Sequence, residues 1–213
     1  MNDHFSSPAV GWAEHADAAA VARFIADAVT AKGARNLVVP GGNTPLAIFD
    51  ILSGMDLPWD EMSLMLTDDR QVSTDHPASN FGKLSQAFAN KPVKITRLVD
   101  HMDVPKSDIV WIGMGADGHI ASLFPRMKEG EHIDENSPKI VSTQPDPLPP
   151  EAPFARLSFN QTALINTDAI MIVARGSDKK TILEEAVKGA HDLPIAKLIA
   201  AASCPITIFW SES

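Results

Sequence analysis

Four short segments of this chain concentrate glycine, charge and one imidazole. The richest is Gly113-Met114-Gly115-Ala116-Asp117-Gly118-His119-Ile120-Ala121-Ser122-Leu123-Phe124-Pro125. Three glycines in six residues leave a bare loop that delivers Asp117 and His119 together. An imidazole is suited to taking a proton from water near neutral pH, and a carboxylate beside it orients the ring and stabilises its charged form. A structural histidine on a glycine-rich turn is the alternative. Gly41-Gly42-Asn43-Thr44-Pro45 lets backbone N–H groups approach an anion, and a helix starting there adds the positive end of its dipole. The same residues also suit an ordinary strand-to-helix turn, and no Gly-Lys-Ser/Thr follows to make a Walker loop.

Thr67-Asp68-Asp69-Arg70 sets three charges side by side. The guanidinium can fork onto phosphate or carboxylate oxygens, and an aspartate can accept a proton or hold a hydroxyl; solvated surface charges have the same look. In Gly176-Ser177-Asp178-Lys179-Lys180 a lysine in the first helical turn opposes the helix dipole, which points either to an anion bound nearby or to a solvated lysine pair. The remaining histidines, His4, His15, His76, His101, His132 and His191, have no comparable setting and read as surface residues.

These segments must be positioned by regular structure. Val21, Phe24, Ile25, Ala28 and Val29 make one helical stripe within 15–32, with Gly33 as its C-cap. Leu37-Val38-Val39 is a short apolar strand running into the first glycine pair, and Pro45 suits the first turn of a helix carrying Leu46, Phe49 and Leu52. The alternation repeats with a strand at 64–66 and a helix after Ser79 carrying Phe81, Leu84 and Phe88. Further strands are expected at 109–112, 169–174 and 206–210, with a helix capped by Ser177 and burying Ile182, Leu183, Ala186 and Val187. Buried strands alternating with amphipathic helices imply an α/β fold with a mostly parallel sheet covered on both faces. In such sheets ligands bind beyond the carboxyl ends of the strands, which is where the four segments fall. Five prolines between Gln144 and Pro153 exclude helix and central strand and make that stretch an extended surface loop.

Composition bounds the function. At 213 residues, 45% of them hydrophobic, the chain reads as a single domain over 1–213. A net charge of -9 and the absence of a basic run argue against a nucleic-acid partner, so an anionic metabolite must be met by a local positive site. Cys204 has no partner for a disulfide or a CxxC and reads as a small buried thiol. The first twelve residues lack the form of a signal peptide and no run approaches about 20 apolar residues, so a cytoplasmic protein without membrane contact is expected. Without HExxH, histidines at i, i+4 or a cysteine cluster, neither metal nor cofactor is expected. The oligomeric state is open between monomer and small homo-oligomer.

Taken together, the four segments resemble the 6-phosphogluconolactonase family over about Leu37 to Trp210, most specifically in GMGADGHIASLFP and the later RLSF, ALIN and RGSDKK. That family shares with glucosamine-6-phosphate deaminases a three-layer, Rossmann-like architecture, the ribose-5-phosphate isomerase/CoA-transferase-like fold. The resemblance implies Gly41, Gly42, Asn43 and Thr44 as a phosphate loop, Arg70 and Lys179 as its charged partners, and His119 as general base. Arg70 and Ser122-Leu123-Phe124-Pro125 favour lactonase over deaminase, which usually carry a tyrosine and an Asn-Glu pair there. The chain departs at Asn43, where serine is usual, at Asp69, where glutamate is usual, and at Arg126, where glycine is commoner. The stretch between Asn80 and Gly113 is shorter than usual, which implies a more open site.

The implied reaction is hydrolysis of 6-phospho-D-glucono-1,5-lactone, a sugar-phosphate lactone, by water that His119 deprotonates. Asp117 orients His119, Asp68 contacts sugar hydroxyls or the reacting end, and loop N–H groups stabilise the oxyanion. No GxSxG elbow marks Ser122 or Cys204 as a nucleophile. Two alternatives stand beside it: an isomerase or deaminase using Asp68 as a carbon-proton base, and a catalytically silent sugar-phosphate sensor.

Overall fold

The computed structural model describes residues 9–127, 136–150 and 152–212; His4 and His132 lie outside them. The described chain begins with β1 (Val10–Trp12) and α1 (Ala18–Lys32), then runs through β2 (Asn36–Val39), α2 (Thr44–Ser53), β3 (Ser63–Leu66), β4 (Asp68–Arg70), α3 (Asn80–Ala87), β5 (Lys94–Thr96) and β6 (Ser107–Gly113). After residue 136 come β7 (Ile140–Thr143), β8 (Arg156–Phe159), the short α4 (Gln161–Ile165), β9 (Thr167–Arg175), α5 (Ser177–Val187), α6 (Pro194–Ala201) and β10 (Ile206–Ser211).

Seven strands form one parallel sheet in the order β1-β10-β9-β6-β2-β3-β5. The α/β expectation therefore holds. Four successive residues of β6, Ile109 to Ile112, are buried, so both faces of the sheet are covered. Trp111 meets Phe49 of α2 edge-on, and Phe209 of β10 meets Phe24 of α1, which puts these two helices over one face. Val110, Ile112, Ile172 and Ile208 face the other way and are equally buried. Strand order reverses between β2 and β6, the kind of switch point where a crevice opens above an α/β sheet.

Helix boundaries follow local chemistry. Asp17 accepts a hydrogen bond from Ala20 N at 2.9 Å and starts α1, while Gly33, at φ 75°, ends it. Pro45 stands in the first turn of α2, where its missing N–H costs nothing. Several expectations need correction. Gly176, not Ser177, is the N-cap of α5; Ser177 is its first helical residue and makes no capping bond, and Val187 is exposed rather than inward. His191 is half-buried rather than on the surface, held between Ile182 O and Leu193 N. The described residues of the proline-rich stretch form neither helix nor strand, as expected, although Pro145 is buried.

A second sheet, antiparallel and ordered β4-β8-β7, was not foreseen. Asp68–Arg70, read from the sequence only as charges behind the strand at 64–66, is its edge strand, with Asp68 opposite Ser158 and Arg70 opposite Arg156. The turn out of β3 is tight enough that Thr67 is still bonded to the main sheet through Val39 O and already to Phe159 N on β8.

Asp69 joins this sheet to α3. Its carboxylate accepts from Asn80 N at 2.7 Å, Arg70 N at 2.8 Å and Phe81 N at 3.1 Å, so it caps the start of α3 together with Ser79, which accepts from Gly82 N. Burial pushes the Asp69 carboxyl above the usual carboxylate range, and the three N–H donors pull it back down. Asp69→Ala strands two N–H groups at the root of α3 and one in β4. It should lower stability by about 2–4 kcal/mol, read as a lower urea midpoint at unchanged m-value.

Candidate active site

The carboxyl ends of β3, β2, β6 and β9 lie side by side, and a cleft of about 190 Å³ opens above them. Its floor is Gly41, Gly42, Asn43 and Thr44 at the β2–α2 turn. Gly42 takes φ 95°, a left-handed conformation that glycine adopts without strain. Gly41 is glycine for space: a Cβ there would lie 2.0 Å from the Asn80 side chain. Asn43 is the N-cap of α2 but makes no side-chain capping bond, so its amide is left exposed at the cleft.

His119 lines the same cleft from the β6 side. Its Nδ1 stands 2.6 Å from Asp117 Oδ1, and the same oxygen accepts from the His119 N–H at 3.2 Å. An ionised carboxylate accepts only, so the pair places a proton on Nδ1 and leaves Nε2 with the lone pair a base needs. Asp117 itself does not line the cleft; it acts from behind the ring. The imidazole also packs against Phe124, ring centroids 4.5 Å apart. The loop is braced by α6, whose Ile195 N–H donates to Gly118 O at 3.2 Å, with Leu193 packed against Gly118.

On the opposite wall stand Asp68 and Arg70 of β4. Asp68 is 8% exposed, accepts from Ser122 Oγ at 2.6 Å and from Thr67 Oγ1 at 3.1 Å, and still borders the cleft. Arg70 donates to Ala78 O at 2.9 Å and to Asn80 Oδ1 at 3.0 Å, while its buried Nε has no protein partner. Asn80 Oδ1 also accepts from Gly42 N at 3.2 Å, tying the glycine turn to Arg70.

Lys179 completes the wall one turn into α5, with Arg175 at the end of β9. Burial lowers the Lys179 ammonium below the ordinary lysine value, and the nearby Arg175 lowers it further. With Arg70 and Arg156, four cationic side chains border one cleft in a chain of net charge -9. Arg70 and Arg156 are direct cross-strand partners, which brings two guanidinium groups to the same face of the second sheet. The cleft is built to take a small anion at its cationic walls and to offer it an imidazole base.

All the residues expected at the site therefore converge, Asp117 from the rear and the others on the cleft itself. Asn80, Arg156 and Arg175 were missed. Arg175 stands at a strand carboxyl end and could have been found by the rule that located the other segments. Arg156 and Asn80 depend on the second sheet and on the packing of α3, which local sequence does not announce. Among the described residues no group of three or more His, Cys, Asp or Glu side chains gathers as metal ligands would, and no helix is long and apolar enough to cross a membrane.

Comparison with known proteins identifies the family. The family model described as glucosamine-6-phosphate isomerases/6-phosphogluconolactonase matches residues 12–103 and 93–207. A 6-phosphogluconolactonase of Mesorhizobium japonicum is 31% identical over 221 residues, covering 91% of this chain and 90% of that protein. One from Neisseria meningitidis is 27% identical, covering 94% of this chain and 99% of its own. The crystal structure of a 6-phosphogluconolactonase from Shewanella baltica superposes with a TM-score of 0.74 at 27% identity, covering 97% of this chain and 99% of that one.

The room behind His119 yields a test. A Cβ on Gly115 would lie 2.2 Å from His119 Cε1 and 2.7 Å from Asp117 Oδ1. Gly115→Ala should therefore break the His119–Asp117 bond, seen as loss of the downfield Nδ1 proton resonance in NMR spectra while the thermal midpoint moves little.

Proposed function

Because this chain belongs to the glucosamine-6-phosphate isomerase/6-phosphogluconolactonase family, we propose that it hydrolyses 6-phospho-D-glucono-1,5-lactone to 6-phosphogluconate. The observation that carries this is the His119–Asp117 pair facing a cleft walled by cations. The phosphate lies against the glycine turn and the cationic walls, with Gly41, Gly42, Asn43 and Thr44 approaching it from the main chain and Lys179, Arg70 and Arg156 supplying charge. So anchored, the lactone presents C1 to a water beside His119.

His119 Nε2 takes a proton from that water as its oxygen adds to C1, forming a tetrahedral oxyanion. Collapse breaks the bond from C1 to the ring oxygen. The imidazolium returns its proton to that oxygen, giving the C5 hydroxyl, and the new carboxylic acid releases its proton to solvent. Asp117 keeps the ring in the reactive tautomer and stabilises its transient charge. Asp68 accepts from the sugar hydroxyls, and loop N–H groups face the oxyanion.

Direct attack by water is favoured over a covalent intermediate for structural reasons. Ser122 is fully buried with its hydroxyl committed to Asp68. Cys204 is buried two residues before β10, at the amino ends of the strands and away from the cleft, and burial raises its thiol above the usual range. In the same reading residues 1–213 are one domain, the enzyme works in the cytoplasm without cofactor or metal, and its partner is the small metabolite rather than nucleic acid or membrane.

Two measurements test the assignment. Freshly generated phosphogluconolactone should decay faster than its spontaneous background, and His119→Asn should lower kcat by on the order of 100-fold while 6-phosphogluconate still binds. An unchanged kcat removes His119 from the base role. The lowered Lys179 has its own signature. As pH rises it loses its charge earlier than an ordinary lysine, so product affinity measured by calorimetry should weaken on the alkaline side. Lys179→Ala should weaken binding by about 1.5–3 kcal/mol at neutral pH, and Lys179→Arg should hold its affinity across the alkaline range.

A further inference from the structure

Ser122 is buried, polar and unused by the reaction just described. It sits three residues beyond His119, on the far side of Ala121, whose φ of 47° is one of only two left-handed non-glycine conformations among the described residues. A left-handed alanine costs energy and persists only where its surroundings fix it. Here they do. Ile120 and Leu123 close a two-way backbone hydrogen-bond pair around the turn, at 2.8 and 3.3 Å. Inside that turn Ser122 spends both of its donors on the second sheet: its hydroxyl on Asp68 Oδ2 at 2.6 Å and its N–H on Ser158 Oγ at 3.1 Å. The reversal at Ala121 leaves His119 facing the cleft while Ser122 points into the interior.

Asp68 and Ser158 are cross-strand partners, and Arg156 lies two residues before Ser158, on the same face of β8. Ser122 thus stands where the His119 loop, the Asp68 strand and the Arg156 strand meet. Thr67 Oγ1, also fully buried, takes the other carboxylate oxygen. One donor on each oxygen pins the Asp68 carboxylate in a single orientation and leaves a lone pair on each free to accept from a ligand. Few side chains are so fixed without touching the substrate.

We propose that Ser122 is a positioning residue, which sets the distance and angle between His119 and Asp68 by bonding the loop of one to the carboxylate of the other. It acts only through Asp68. This rests on the lactonase reading above, in which Asp68 accepts from the sugar hydroxyls. A misaimed carboxylate lets the substrate turn about its phosphate anchor, and the populated fraction with C1 beside His119 falls. The anchor itself is untouched.

The experiment is a double-mutant cycle on lactone hydrolysis, with inorganic phosphate as a competitive inhibitor reporting on the anchor. Ser122→Ala should lower kcat about tenfold and leave the inhibition constant for phosphate within twofold. In an Asp68→Ala background the same change should cost less than twofold, because the group it positions is gone. Ser122→Cys, which keeps the packing with a weaker donor, should recover part of the loss; it serves for the whole cycle if Ser122→Ala does not accumulate as folded protein. Equal losses in both backgrounds, or a phosphate constant that moves in step with kcat, would show a merely structural role and overturn the proposal, as would full activity of Ser122→Ala. Wild-type protein unable to accelerate lactone decay would defeat the lactonase reading, and this proposal with it. An active wild type whose cycle is additive defeats this proposal alone.

Discussion

The parallel register of β3, β2, β6 and β9 is the constraint on which the rest depends. Leu37 pairs with both Leu64 and Ile109, and Ile109 pairs with Ala169, so these strands are aligned across the middle of the sheet. Aligned parallel strands end together, and the chain leaving each of them delivers its side chains to one rim. The Gly41 turn, Asp68, the His119 loop and Arg175 come from stretches up to 134 positions apart and meet without any long excursion. Continuous burial of Ile109 to Ile112 fixes this register, since sliding a strand buried on both faces would break packing on each.

On that rim the chain concentrates positive charge against its overall sign. Burial and the neighbouring Arg175 both lower the Lys179 ammonium there. Cations gathered at one small cleft, with the Asp68 carboxylate beside them, make a local positive site in an acidic chain. The chain holds these cations with neutral braces. Asn80 takes Arg70 and Gly42 on one oxygen, and backbone carbonyls of Ala78 and Ala174 accept from Arg70 and Arg175. A carboxylate in those places would neutralise the very charge the ligand needs.

The main sheet and the site centre were legible in the sequence because both are local signals. Continuous apolar runs gave the inner strands, and the glycine-rich stretches after them gave the cleft floor and the His119 loop. The second sheet was not legible. Asp68–Arg70 is three charged residues, and RLSF is four of mixed character; neither has apolar periodicity, and each is a strand only because the other pairs with it. With that sheet unseen, Arg156 had no reason to be near Arg70, and the buried bond from Ser122 to Asp68, between residues 54 apart, had no local trace. Helix α6 escaped for a related reason. Its apolar residues, Ile195, Leu198 and Ile199, have helical spacing but occupy only eight positions behind a proline, too short to stand out without the loop it supports.

The connection from α3 to β6 runs along the edge of the main sheet. It crosses β5, and β5 is the edge strand beyond β3, two strands away from the β2–β6 switch point. It lies away from the glycine turn and His119, which stand over β2 and β6. It borders instead the wall made by β4 and α3. It is stitched to that wall by Arg97, which donates to Val72 O at 3.3 Å and lies 5.9 Å from the centre of the Phe81 ring. Phe81 N is in turn one of the three donors on Asp69. This connection therefore bears on the Arg70 and Asn80 side of the cleft, through Asp69 and α3. The His119–Asp117 pair, carried by the loop after β6 and braced from α6, stands apart from it.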